Sequence, residues 1–200
     1  MHPTSEQIDA LKELMNIGVG GGASVLNTML NSHIRLQIPF VKLLSYDELK
    51  AELDTVGRER LASVNLLFKG MFSGNAKLVF RSGSALKLVT ALTGEEPDAV
   101  DLDSILAGTL SEIGNIVLNS VMGSISNLLQ LSLSYSVPNY IEGNVNALFD
   151  MDSTNLHADI LLARTRFIIE EFNVEGDIVI FFEVGSFDKL LISLKEIGSG

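Results

Sequence analysis

Asp9-Ala10-Leu11-Lys12-Glu13-Leu14-Met15-Asn16 lies in the chain's first long periodic segment, and Glu112-Ile113-Gly114-Asn115 repeats its last four positions 99 residues later. Pro39 follows Asn16 after the same 22-residue gap that separates Pro138 from Asn115, so both copies read Glu-x2-Asn-x22-Pro. A second match, Gly74-Asn75-Ala76-Lys77-Leu78-Val79-Phe80 with Gly176-Asp177-Ile178-Val179-Ile180-Phe181-Phe182, runs at an offset of 102. The change of offset predicts a net three-residue insertion between the motif helix and the second strand pair. Self-similarity on this scale identifies a duplicated half-domain, with repeats at 5–94 and 103–197 inside one domain, 1–200.

Each half begins with apolar residues at helical spacing. Ile8, Leu11, Leu14 and Met15 share one arc of a helix over about 5–31, which leaves Asp9, Glu13 and Asn16 on the other. In the second half Leu106, Leu110, Ile113, Val117 and Val121 form the apolar arc of a helix over about 103–130, with Glu112, Asn115 and Asn119 outside it. Glu and Asn three residues apart are neighbours on one helix face.

A period-two strand follows the second helix, with Leu131, Leu133, Tyr135 and Val137 alternating against serines, and Pro39 and Pro138 are expected to close the strand in each half. Ser45-Tyr46-Asp47-Glu48 reads as a capping box for a short helix, while 139–156 carries no clear signal. Ser73-Gly74-Asn75 and Glu175-Gly176-Asp177 read as hairpin turns, with short helices starting near Ser84 and Ser186. Helix, strand, strand, strand, helix, twice over, predicts an α+β fold of pseudo-two-fold symmetry. Its six-stranded, mainly antiparallel sheet is covered by the two long amphipathic helices. Glu95, Glu96, Asp98, Asp101 and Asp103 form an acidic seam between the halves, too short to separate independent domains.

Composition narrows the function. Of 200 residues, 46% are hydrophobic, enough for one shared core. No apolar run approaches the ~20 residues of a membrane span, and the first residues lack the pattern of a signal peptide, so a cytoplasmic protein is expected. The absence of cysteine removes disulfides, thiol catalysis and thiolate metal sites. A net charge of -11 with scattered basic residues argues against nucleic acid and anionic lipid as partners. His2, His33 and His157 have no ligand spacing, and no metal or cofactor is assigned to this chain. Gly18, Gly20, Gly21 and Gly22 lack the Lys-Ser/Thr of a phosphate loop and sit inside a helical pattern, where they allow another element to approach closely. Ser24 and Ser124 have no local histidine that would make either a nucleophile.

A single Glu-x2-Asn is most often a solvated helix face; its recurrence at equivalent places raises its weight. Asn is no general base, but its carboxamide both donates and accepts hydrogen bonds and so can orient a water. Orientation suffices where the electrophile is already activated and a metal is supplied, as with an acyl phosphate on an Asp.

The pattern Asp9-x3-Glu13-x2-Asn16-x22-Pro39, with its partial copy at Glu112, Asn115 and Pro138, resembles the signature of the CheC/CheX/FliY family of chemotaxis phosphatases. Two copies in about 200 residues are most like its CheC branch. The resemblance implies hydrolysis of the phospho-aspartate of a CheY-like response regulator. Asn16 or Asn115 would place the water, Glu13 or Glu112 would pair with the receiver's lysine, and Mg2+ would belong to the receiver. It also implies CheD as a partner. Gly108 stands where the motif has Asp or Ser, which makes Asp9 an auxiliary residue, and Pro39 and Pro138 are structural. Two other readings stand beside this one: a non-catalytic adaptor of the same fold binding CheD or a receiver, and a small-ligand sensor with the glycine-rich helix as a pocket wall.

Overall fold

The computed structural model describes residues 4–37, 39–45, 47–48, 51, 60–94, 102–148, 160–182, 189–190 and 192. Its elements are α1 (Ser5–Leu30), β1 (Ile34–Leu36), β2 (Phe40–Leu44), β3 (Leu61–Gly70), β4 (Gly74–Arg81), α2 (Ser82–Thr93) and α3 (Leu102–Leu128). Then follow β5 (Leu133–Tyr135), β6 (Asn139–Gly143), α4 (Val145–Leu148), β7 (Ile160–Ile169), a 3-10 turn (Glu170–Phe172) and β8 (Val174–Phe182). The expected α+β architecture is what forms: two long helices on an antiparallel sheet.

The sheet has eight strand segments in six lanes, β1/β2, β7, β8, β4, β3 and β5/β6, every pairing antiparallel. Its centre is the β4–β8 pair, in which Lys77 lies opposite Val179, its own counterpart at the 102-residue offset. An antiparallel pair that matches a residue with its copy has a local two-fold axis there. The outer lanes cross over: β1 and β2 of the first half pair with β7 of the second, while β5 and β6 pair with β3. Each half therefore completes the other's sheet.

Pro39 and Pro138 do not end their strands. β1 pairs with β7 through Leu36 and Phe167, and β2 resumes at Phe40 opposite Arg164, so the outer lane carries one extra residue between these points. The same shift separates Tyr135, opposite Phe68, from Asn139, opposite Asn65. Each proline sits in a bulge on an edge lane, where its missing N–H leaves no ladder bond unmade.

The hairpin turns also differ from expectation. Gly74 pairs with Phe68 inside the β3–β4 ladder, and Gly176 pairs with Phe167 inside β7–β8. A Cβ on Gly74 would collide with the Phe181 carbonyl oxygen of β8 and lie 2.5 Å from Phe68 Cζ, and one on Gly176 would collide with the Phe167 ring, so these glycines make room for the neighbouring strand and for aromatic rings. The turns are residues 71–73 and Glu170–Asn173, the latter ending on Asn173 with φ 49°. From Phe68 to Gly74 the chain is three residues shorter than from Phe167 to Gly176, so the insertion falls within the second hairpin rather than ahead of it. Asp177 is no turn residue either: the Arg164 guanidinium grips it at 3.1 and 2.9 Å.

The capping box forms, with Ser45 N–H donating to Glu48 Oε2 at 2.8 Å and Glu48 N–H donating to Ser45 Oγ at 3.3 Å. The Ser45 backbone N–H, and after it the Ser45 hydroxyl, holds the Glu48 carboxyl below its usual range. Residues 47, 48 and 51 are helical, and the rest of that segment is outside the described residues. The stretch without signal contains β6 and α4, with 149–156 outside the described residues. The second-half short helix is described at 189–190 and 192, and its expected start at Ser186 is not among the described residues, nor are the seam residues 95–101.

One face of the sheet carries the main core. Val64, Leu66, Phe68, Leu78, Phe80, Ile178 and Ile180 are buried there under Leu11, Leu14, Met15, Leu110, Ile113 and Val117 from the helices. α3 is, by length and composition, apolar enough to cross a membrane from Asp103 to Leu128, contrary to the expectation that no such run exists. Packing accounts for its apolarity: Val117, Leu118, Val121 and Ile125 are 0% exposed against α1 and the sheet.

α1 and α3 meet antiparallel. A Cβ on Gly18 would lie 2.8 Å from Ile125 Cγ1, one on Gly22 2.7 Å from Val121 Cγ2, and one on Gly21 2.5 Å from Ser124 Oγ and 3.4 Å from Ser120 Oγ. Gly21 and Ser120 are counterparts at the 99-residue offset, so the helices cross at their own equivalent points, above the sheet's two-fold. The close approach is one-sided in origin: glycines on α1 admit branched side chains of α3. Gly20, in contrast, has nothing within 4 Å of its Cβ position.

Two substitutions separate these environments. Gly22→Val should destabilise the fold by about 1–3 kcal/mol through overpacking against Val121, while Gly20→Ala should stabilise it by up to ~1 kcal/mol through helix propensity. Urea unfolding followed by circular dichroism reads both, and equal effects would contradict the close contact.

Candidate functional site

Thr4 starts α1. Its hydroxyl accepts from Gln7 N–H at 3.3 Å and the Gln7 side chain accepts from Thr4 N–H at 2.8 Å, a capping box that satisfies two end groups of the helix. The apolar arc then decides the helix's rotation: Leu11, Leu14 and Met15 are 1–2% exposed. That rotation turns Glu13 and Asn16 to the outer surface, and both are exposed. On α3 Leu110 and Ile113 are 1% exposed, and burial of this arc leaves Glu112 and Asn115 outside. Helix periodicity, anchored by the core, thus presents the same carboxylate and carboxamide twice.

The two pairs form two sites, not one. Each Asn precedes the Gly21–Ser120 crossing by five residues, about 7 Å along its helix. Because the helices run antiparallel, Asn16 and Asn115 lie on opposite sides of that crossing, about 15 Å apart along the helix pair. Ile17 and Ile116, the residues after each Asn, are 43% and 38% exposed. Each site is therefore a carboxylate, a carboxamide and a branched apolar side chain on one open helix face. The sequence places these isoleucines only one position from the motif; reading them as surface required knowing where the buried arc ends.

Among the described residues neither Glu13 nor Glu112 has an ion-pair partner, so both carboxylates face solvent ready for an external cation. Asp9 pairs with Lys12 at 3.0 Å, with side chains 72% and 39% exposed. At that exposure the bond contributes little to stability. Pro39 is buried and Pro138 half-buried at their bulges, away from the helix faces that carry Glu and Asn. Among the described residues no group of three His, Asp or Glu is arranged to hold a metal ion.

The carboxamide of such a site is neither a nucleophile nor a general base. The site can accept a cation at the carboxylate, exchange hydrogen bonds at the carboxamide, and rest an apolar contact on a partner's surface.

A model of the CheC-like family matches residues 6–43, which span α1, β1 and most of β2 and contain Glu13, Asn16 and Pro39. Along 199 residues, 94% of each chain, the protein is 29% identical to the CheY-P phosphatase CheC of Bacillus subtilis (strain 168). The fold is similar to that of FliY from Thermotoga maritima, with TM-score 0.77 and 20% identity over 98% of this chain and 100% of that one. It is also similar to a chain of the CheX–CheY–BeF3–Mg2+ complex of Borrelia burgdorferi, with TM-score 0.57 and 20% identity over 88% and 99%. The resemblance to the CheC/CheX/FliY family thus holds in sequence toward CheC and in fold toward FliY and CheX.

The cap should matter more than the exposed ion pair. Thr4→Ala is expected to cost about 1 kcal/mol, and Asp9→Ala less than about 0.5 kcal/mol, in parallel thermal melts. A larger loss for Asp9→Ala would mean that Asp9 is structural.

Proposed function

We propose that this CheC-like chain is a phosphatase that hydrolyses the phospho-aspartate of a CheY-like response regulator, using two pseudo-equivalent sites. The observation that carries the proposal is the recurrence of an exposed Glu–Asn pair at matching places on two antiparallel helices whose remaining surface is fixed by packing. The likeness to a named CheY-P phosphatase supplies the substrate class.

In this reading the receiver brings the acyl phosphate and its Mg2+, and this chain binds no cofactor. Glu13 or Glu112 pairs with the receiver's active-site lysine and sets the helix across the pocket, with Ile17 or Ile116 resting on its rim. Asn16 or Asn115 then orients a water in line with the phosphorus, its carbonyl oxygen accepting a hydrogen bond from that water. A neutral side chain serves because the metal and the mixed anhydride already make phosphorus electrophilic, so geometry rather than basicity limits the reaction. CheD is the second partner in this proposal, and the activity takes place in the cytoplasm.

The test is phosphate release from a Mg2+-loaded, phosphorylated CheY-type receiver. Asn16→Ala combined with Asn115→Ala should lower the acceleration about 100-fold or more, the scale on which misplacement of a reactant costs rate. Pull-down of the receiver should survive in the double variant. Full activity in that variant would remove the catalytic assignment, and binding without acceleration by the wild type would favour the adaptor.

A further inference from the structure

The two Glu–Asn pairs occupy equivalent places in unequal surroundings. Asn119 lies one helical turn beyond Asn115, and its Nδ2 donates to the Asn115 backbone oxygen at 2.7 Å and to the Asn115 Oδ1 at 2.6 Å. These contacts fix both amides. A backbone carbonyl only accepts, so the Asn119 atom against it is the amide nitrogen, and that nitrogen can approach Asn115 only at its oxygen. Oδ1 of Asn115 is thereby turned toward Asn119 and its own NH2 group away. On α1 the counterpart of Asn119 at the 99-residue offset is Gly20, which has no side chain, and among the described residues Asn16 has no side-chain hydrogen bond.

We infer that Asn119 is a positioning residue for the second pair, holding the Asn115 carboxamide in one orientation before any receiver docks. The site of Glu112 and Asn115 is then preordered, and the site of Glu13 and Asn16 must order its Asn during the reaction. The inference rests on the phosphatase reading above and deepens it. A carbonyl oxygen has two lone pairs; Asn119 occupies one, and the other remains for the proton of the attacking water. A side chain already fixed loses less rotational freedom on reaching the transition state, which raises the turnover rate without strengthening docking. Asn119 itself is half-buried, and its bond to the Asn115 backbone oxygen holds its own amide in place.

The experiment isolates each site. In the Asn16→Ala background only the second site works, and there Asn119→Ala should lower kcat three- to tenfold with KM unchanged. Ala is the better helix former, and an unchanged or higher Tm excludes unfolding as the cause. In the Asn115→Ala background Gly20→Asn should raise kcat of the first site, since a Cβ at position 20 meets nothing within 4 Å. A readout independent of activity is the Asn119 side-chain NH2 pair: Asn115→Ala removes the Oδ1 acceptor and keeps the backbone oxygen, so part of the wild-type downfield shift is expected to be lost. An unchanged or increased kcat in Asn16→Ala/Asn119→Ala, while activity still requires Asn115, overturns the positioning role and leaves the phosphatase reading standing. An NH2 pair indifferent to Asn115→Ala overturns the bond to Asn115 Oδ1 and with it the positioning role. Absence of any wild-type acceleration overturns the phosphatase reading and the catalytic role of Asn119 with it.

Discussion

The close antiparallel contact of α1 with α3 is the constraint on which the rest of the molecule depends. Gly18, Gly21 and Gly22 bring the axis of α1 near enough for Val117, Val121 and Ile125 to fill the space that side chains would have taken. Once the helices are locked at this crossing, the rotation of each about its own axis is no longer free. The apolar arcs meet the sheet, and the polar stripes turn outward together. Exposure of Glu13, Asn16, Glu112 and Asn115 is thus a consequence of packing several ångströms away. A change in the notch would rotate a helix and misdirect a carboxamide without touching it.

The sheet below obeys the same symmetry by a different device. Each half lends its edge lane to the other, so neither half can complete a sheet alone, and the two-fold relation is built into the hydrogen-bond ladder as well as the helix crossing. Bulges at Pro39 and Pro138 interrupt the edge lanes at matching points, one more sign that the two halves bend alike.

Helical spacing over 5–31 and 103–130 was legible in the sequence because a buried arc imposes a 3.6-residue period on any helix that covers a core. The duplication, the polar stripes and the glycine contact were legible for the same local reason. The exchange of edge lanes was not, since pairing of residue 34 with 169 is a long-range choice that local pattern does not encode. Gly74 and Gly176 misled as turn residues because a glycine beneath an aromatic ring and a glycine in a hairpin look alike without the partner strand. The prolines misled because a bulge lets a strand continue past a residue that local rules read as its end. The i, i+4 spacing of Asn115 and Asn119 was visible, but not that their amides bond.

In the proposed function geometry counts for more than reactivity, because Asn would bring orientation and Glu charge while the activated phosphoryl group would belong to the partner. The most direct measurement of that claim uses a CheY-type receiver loaded with beryllofluoride and with Mn2+ in place of Mg2+, mixed with the isotopically labelled protein. The account predicts that paramagnetic broadening is strongest at the side-chain amides of Asn16 and Asn115. Broadening centred on the sheet edges, or none at either asparagine, would contradict it.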